Sequence, residues 1–169
     1  MSDIFKEIKS TDISDNVFKL IGDDWMLITA GTPENYNTMT ASWGGLGILW
    51  GEPVSYCFIR PHRYTYDFVE KNETFSLSFF DEKYRKALQY CGTHSGRDVD
   101  KAAATGLTVV GGDHNTVYFN EARLVLLCKK IYYQDINPEN FIDPVINKNY
   151  LKKDYHRMYI GKIIKCLVK

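Results

Sequence analysis

Apolar residues along this chain come in short blocks of four to eight separated by polar and glycine-rich breaks, a spacing that favours strands over long helices. Trp25–Ala30 and Val54–Ile59 each read as a buried strand. Thr74–Phe80 alternates, with Phe75, Leu77 and Phe79 on one face and Ser76 and Ser78 on the other. Asn120–Tyr133, rich in Val, Leu and Ile, is the longest strand expected, and Leu107–Val110 is a short one. Tyr155–Val168 is the last, either an unbroken strand or one with a bend at Gly161. Thr38–Trp43 is extended after a turn-rich loop, Gly31–Asn37, and runs into Gly44, Gly45 and Gly47.

Helical spacing is weaker. It predicts a short helix near Ile13–Ile21 stopped by Gly22, and a helix start over Thr65–Glu70. A third helix, Glu82–Tyr90, is expected to be capped by Asp81 and closed by Gly92 at C′; a fourth, Asp98–Ala104, is closed by Gly106. Residues 134–154 read as loop with at most one helical turn. Six or seven strands with a few short helices, and no regular strand–helix alternation, imply a mainly β fold. An antiparallel sheet closed into a barrel with helical insertions fits best. Neither a dinucleotide-binding glycine motif nor a P-loop is present to support a parallel doubly wound sheet. No repeat or linker divides the chain, so residues 1–169 are expected to form one domain.

Charge narrows the function. Lys and Arg number 21, as do Asp and Glu, so the net charge is zero. A protein devoted to nucleic acid or to an anionic membrane needs a cationic surplus, so neither is expected as a partner. There is no apolar run of membrane-spanning length and no apolar leader at Met1–Glu7, which sets the expectation of a cytoplasmic protein. The cysteines Cys57, Cys91, Cys128 and Cys166 form no Cys-x-x-Cys pair, and no His-Glu-x-x-His occurs, so no metal site is expected.

Three segments carry candidate chemistry. In Asn37-Thr38-Met39-Thr40-Ala41-Ser42-Trp43 a strand would put three hydroxyls on one face and Met39, Ala41 and Trp43 on the other, which suits a half-exposed strand, or a flat heterocycle with polar edges. In Arg60-Pro61-His62-Arg63-Tyr64-Thr65 two guanidiniums follow a strand and precede a helix. That suits a phosphate, and a solvated basic turn would look the same. In Ser95-Gly96-Arg97-Asp98-Val99-Asp100-Lys101, Ser95 or Asp98 can cap a helix on which Arg97 and Lys101 share a face; this is an anion site or a capped surface helix. His156 opens the last strand, either as a hydrogen-bonded rim residue or at a ligand's edge.

Together these segments, with Asp24–Ala30 and with His156 followed by Gly161, occur in an order that resembles the flavin reductase-like family, the FMN-binding split barrels, and within it the flavoredoxin-type branch. The resemblance implies an antiparallel split barrel, an FMN cofactor, NAD(P)H as a co-substrate and a homodimer. It implies that Met39, Thr40, Ala41, Ser42 and Trp43 line the flavin ring. Arg60, Arg63 and Tyr64 would hold the ribityl-phosphate side, and Ser95, Gly96, Arg97 and Lys101 would complete it. Arg97 would contact the phosphate beside the Ser95 and Gly96 N–H groups, and His156 would sit near the flavin or nicotinamide as the catalytic candidate. The activity implied is NAD(P)H:flavin reduction or electron carriage for another redox protein. A non-catalytic barrel holding flavin, haem or a nucleotide is the alternative, and an RNA-binding barrel using the Arg60–Arg63 turn is opposed by the zero net charge.

Overall fold

The computed structural model describes residues 4–169. Ten strands build it: β1 (Lys6–Ile8), β2 (Met26–Thr32), β3 (Asn35–Ala41), β4 (Gly44–Leu49), β5 (Glu52–Ile59), β6 (Thr74–Phe79), β7 (Val109–Gly112), β8 (Thr116–Phe119), β9 (Leu124–Asp135) and β10 (Arg157–Val168). Three helices join them: α1 (Tyr64–Lys71), α2 (Arg85–Thr93) and α3 (Lys101–Thr105). The main sheet runs β3-β2-β6-β9-β10-β5-β4, antiparallel throughout, with β1 added on β10. β7 and β8 form a separate hairpin.

Two apolar cores flank this sheet. The larger packs Ile28, Met39, Ile59, Phe75, Leu77, Phe79, Leu126 and Tyr159 inside the barrel. The smaller packs Leu27, Leu88, Cys91, Phe119, Val125 and Leu127 between the sheet's other face and α2, α3 and the β7–β8 hairpin. β6 is therefore buried on both faces, its serines as well as its phenylalanines. Ser76 meets its need for a partner on the Val117 carbonyl, while Ser78 Oγ is buried without one.

The strands read from the sequence are present, and so are several it did not mark. The Gly31–Asn37 stretch is no loop: β2 and β3 continue to Thr32 and from Asn35, joined by Pro33 and Glu34. The glycine run Gly44–Gly47 is itself strand, paired with β5. The expected helix over Ile13–Ile21 is shorter and shifted: residues 17–23 are helical, Lys19–Asp23 of them π-helical, and Gly22 lies inside it. Gly92 does not end α2 either. The helix continues to Thr93, and a Cβ on Gly92 would come 3.2 Å from Thr40 Cβ, so the helix packs closely on β3 there. Asp81 precedes a 3-10 turn, Glu82–Tyr84, without a side-chain capping bond. Gly106 does close α3, at φ +72. All four cysteines are free and buried, and burial pushes the Cys91 thiol up to about 11 and Cys128 to about 12. Among the described residues no helix is long and apolar enough to cross a membrane, and no cluster of His, Cys, Asp and Glu suits a metal.

Candidate functional site

Three chain crossings meet at one end of the sheet. β3 ends at Ala41 and passes through Ser42 and Trp43 to β4. β5 ends at Ile59, and Arg60–Arg63 turn the chain into α1, closed by Arg63 N–H donating to Arg60 O at 3.0 Å. β10 starts with Arg157 opposite Ile59, which brings His156 beside Arg60. A cleft of about 190 Å³ opens between them, lined by the whole Met39–Trp43 run, by Phe58, and by Arg60, Arg63 and His156. A second cleft, about 310 Å³, is walled by Asn37, His62–Thr65, Gly92–Arg97 and Lys101. Arg63 belongs to both, so the two clefts meet at its side chain.

The guanidiniums differ in what they already hold. Arg60 is bound to Asp154 (2.8 Å) and to the Asn149 carbonyl (2.8 Å) and lies over the Tyr150 ring. Arg97 is paired with Asp67 (3.0 Å), reaches the His62 carbonyl and stacks on Tyr64 at 4.4 Å. Arg63 has no side-chain hydrogen bond or ion pair among the described residues, although it is partly buried. Burial, then the neighbouring Arg60 charge, lowers its pKa, so this cation lacks an anion.

The third segment folds differently from its expectation. Helix α3 starts at Lys101, and Asp100 caps it by accepting from Ala103 N–H, so neither Ser95 nor Asp98 opens a helix. Ser95 Oγ accepts from Arg97 N–H in a turn. Arg97 and Lys101 therefore share no helix face. Lys101 points inward, and its ammonium donates to the carbonyls of Thr38 (2.7 Å) and Cys91 (2.8 Å), tying β3 to α2. Burial pulls its pKa down to about 8. Gly96 lies against Asn37, whose Oδ1 would be 1.8 Å from an added Cβ.

The expected row of free hydroxyls is mostly spent. Thr38 bonds Thr29 and the Ile28 carbonyl, and Thr40 donates to the Leu88 carbonyl. Ser42 lines the cleft with a hydroxyl that has no partner among the described residues, beside half-exposed Trp43. His156 sits 5.1 Å from Trp43, centroid to centroid, and its Nδ1 lies 2.8 Å from Tyr150 Oη. Burial first, then the Arg60 charge, lowers its pKa to about 4, so it is neutral at ordinary pH.

A model of the flavin reductase like domain matches residues 20–169. The chain belongs to the flavin reductase-like family. Solved structures of the same fold include a flavoredoxin from Methanosarcina acetivorans (21% identity, TM-score 0.70, covering 96% of this chain and 76% of that one). A flavoredoxin of Desulfovibrio vulgaris is similar too (22%, TM-score 0.68, 96% and 77%), as is an FMN-binding protein from Thermus thermophilus (18%, TM-score 0.70, 97% and 82%). An NADH:FAD oxidoreductase of Streptomyces globisporus shares the fold at 16% identity (TM-score 0.66, 86% and 75%). No curated protein matches the sequence significantly. The flavin reductase-like family carries flavin-related redox function on a split barrel, and the sheet described above is that barrel.

For this family member, eight of the residues named from the sequence line the first cleft together, and Arg63 shares the second with Tyr64, Ser95, Gly96, Arg97 and Lys101. Sequence reasoning missed Phe58, which directly precedes Ile59 and Arg60 and could have been read from them. It also missed Asn149, Tyr150 and Asp154, whose irregular stretch carries no period to mark them.

Proposed function

We propose that this chain binds FMN across the two clefts and acts as an FMN-dependent oxidoreductase, either an NAD(P)H:flavin reductase or a flavoredoxin-type electron carrier. The donor set suits that group. Met39, Ala41 and Trp43 offer apolar contact for a flat ring, Ser42 and His156 offer polar atoms at its edge, and Arg63 offers a fork for phosphate. The chemistry the bound cofactor supplies is acceptance of hydride or electrons at its ring. The chain's own tasks are to bind, orient and leave one ring face open. The sequence has no separate dinucleotide motif, so NAD(P)H would enter the same open cleft, and the Streptomyces protein that shares the fold was solved with NAD and FAD fragments.

The carrying observation is the unpaired, partly buried Arg63 at the junction of the clefts. A dianionic phosphate would supply the missing counter-charge. Arg97 stands second, because a direct bond to phosphate would compete with Asp67 while a water-bridged one would not. Titrating FMN and riboflavin into wild type and Arg63→Ala tests this. Removing one charge-assisted hydrogen bond should weaken FMN binding about ten- to a hundredfold. Riboflavin, which lacks the phosphate, should bind both proteins alike. Arg97→Ala should show a smaller loss confined to FMN. An equal loss for both flavins in Arg63→Ala, or none for either, overturns the phosphate assignment, and a wild type that binds neither overturns the function.

A further inference from the structure

The chain between β9 and β10, residues 136–155, folds back as a strap against Arg60 and His156, two residues of the first cleft's lining. Two 3-10 turns shape it, Pro138–Asn140 and Pro144–Asn149, capped by the side chains of Asn137 and Asp143. Phe141, Tyr150 and Tyr155 pack together, with Tyr150 5.9 Å from Phe141 and 5.0 Å from Tyr155 between ring centroids. Tyr150 is only 6% exposed, in a segment whose neighbours are largely solvated. It is the strap's one deep anchor, and it lands on the cleft wall. Its ring lies under the Arg60 guanidinium at 5.0 Å, and its Oη meets His156 Nδ1 at 2.8 Å.

This hydrogen bond decides which nitrogen of the imidazole carries the proton. Among the described residues, His156 Nδ1 is the only side-chain partner of the Tyr150 hydroxyl, so the phenol hydrogen is best used in donating to it. Nδ1 is then the acceptor, and in a neutral ring the proton sits on Nε2. Nε2 has no hydrogen bond within the described chain, and it is not among the buried unpartnered atoms. It is therefore accessible, on a residue that lines the cleft. The charged groups facing this ring are Arg60 and Arg63 from the β5–α1 turn, His62 beside them, and Asp154 from the strap, which neutralises Arg60 at 2.8 Å and approaches His62 Nδ1 at 3.4 Å.

We propose that Tyr150 is a positioning residue that holds His156 in its Nε2–H form, so that a neutral N–H donor meets a carbonyl oxygen bound in the first cleft. The identification of that carbonyl with a flavin ring edge rests on the function proposed above; the tautomer does not. A neutral donor suits a neutral acceptor, whereas the phosphate end of a ligand is left to Arg63 in the adjoining cleft. The strap thus orients the polar edge of a site that the strand ends and turns line.

Nitrogen-15 NMR of the His156 imidazole in the purified protein near neutral pH tests the tautomer. Wild type should show a protonated Nε2 and a bare Nδ1. Tyr150→Phe keeps the ring against Phe141 and Arg60 but removes Oη, and should lose the single tautomer with the fold intact. Phe141→Leu loosens the same packing without touching Oη and should keep it. Wild type with a protonated Nδ1, or Tyr150→Phe with an unchanged tautomer, overturns the proposal. In flavin titrations Tyr150→Phe should weaken FMN and riboflavin equally, by about two- to tenfold for one neutral hydrogen bond. Unchanged affinity with the tautomer abolished overturns the donor role. If the tautomers behave as expected but wild type binds no flavin, the positioning role stands and the proposed function falls.

Discussion

His156 ties the site to the stability of the fold. Its ordinary pKa of 6.5 falls to about 4, burial being the largest cause and Arg60 the next. A base whose folded pKa is depressed must be charged at a cost, so its contribution is complete above 6.5 and is lost as pH falls from there toward 4. His156 is 7% exposed but borders an open cleft, so solvent screens part of that cost. Between about pH 7 and pH 5 the loss should be about 1 kcal/mol, or a Tm lower by about 2–4 °C in a chain of this size. Thermal unfolding of wild type and His156→Gln at the two pH values checks it. The carboxylates contribute to both proteins, and only wild type should carry the additional drop; equal drops would mean that the imidazole is already solvated. Lys101 shows the other way to keep a buried base. Its pKa also falls, to about 8, yet it has two carbonyl partners and holds β3 to α2.

Among the elements, β10 shows how much could be read from the sequence. The bend at Gly161 is a register shift against β9 between Ile160 and Gly161. The reason lies in the neighbouring strands: a Cβ there would stand 2.5 Å from Phe75 Cζ and 2.9 Å from Cys128 Cβ. Gly161→Ala should therefore cost about 1–3 kcal/mol through forced repacking of Phe75, measurable by urea unfolding, and a neutral result would show that the bulge has slack. Strands with dense apolar blocks, such as Val54–Ile59 and Leu124–Tyr133, were legible because burial on the barrel wall needs that pattern. β4 was not, because Gly44, Gly45 and Gly47 carry no side-chain period, and its pairing with β5 alone makes it strand. The Ser95–Lys101 segment misled for a related reason. Ser95, Asp98 and Asp100 are all competent caps, and only Asp100 lies where the chain turns helical. The residues lining the first cleft were legible as a set because strand ends concentrate them in three short runs. The strap contributes through packing at a sequence distance of about 90 residues, from Arg60 to Asn149, which no local pattern encodes.

Large apolar side chains are exposed at several places on the whole molecule, among them one edge of the main sheet. On β4 and its turn Ile48 is 68% exposed and Trp50 66%, and on β9 Tyr133 is 56% exposed. Trp50 packs edge-on against Tyr132 of β9. β4 is also an edge strand, with nothing paired on its outer side among the described residues. An exposed apolar edge of this kind invites pairing unless another chain covers it. With zero net charge, long-range repulsion does not oppose self-association. The expected state is a homodimer covering the β4 edge. Light scattering at micromolar concentration should give twice the chain mass for wild type. Trp50→Asp should give a folded monomer, because Trp50 sits at φ +52, a conformation that Asp tolerates better than Trp, and the exposed indole contributes little to the core. A wild-type monomer with flavin bound would overturn the dimer, and a Trp50→Asp dimer would move the interface to another face.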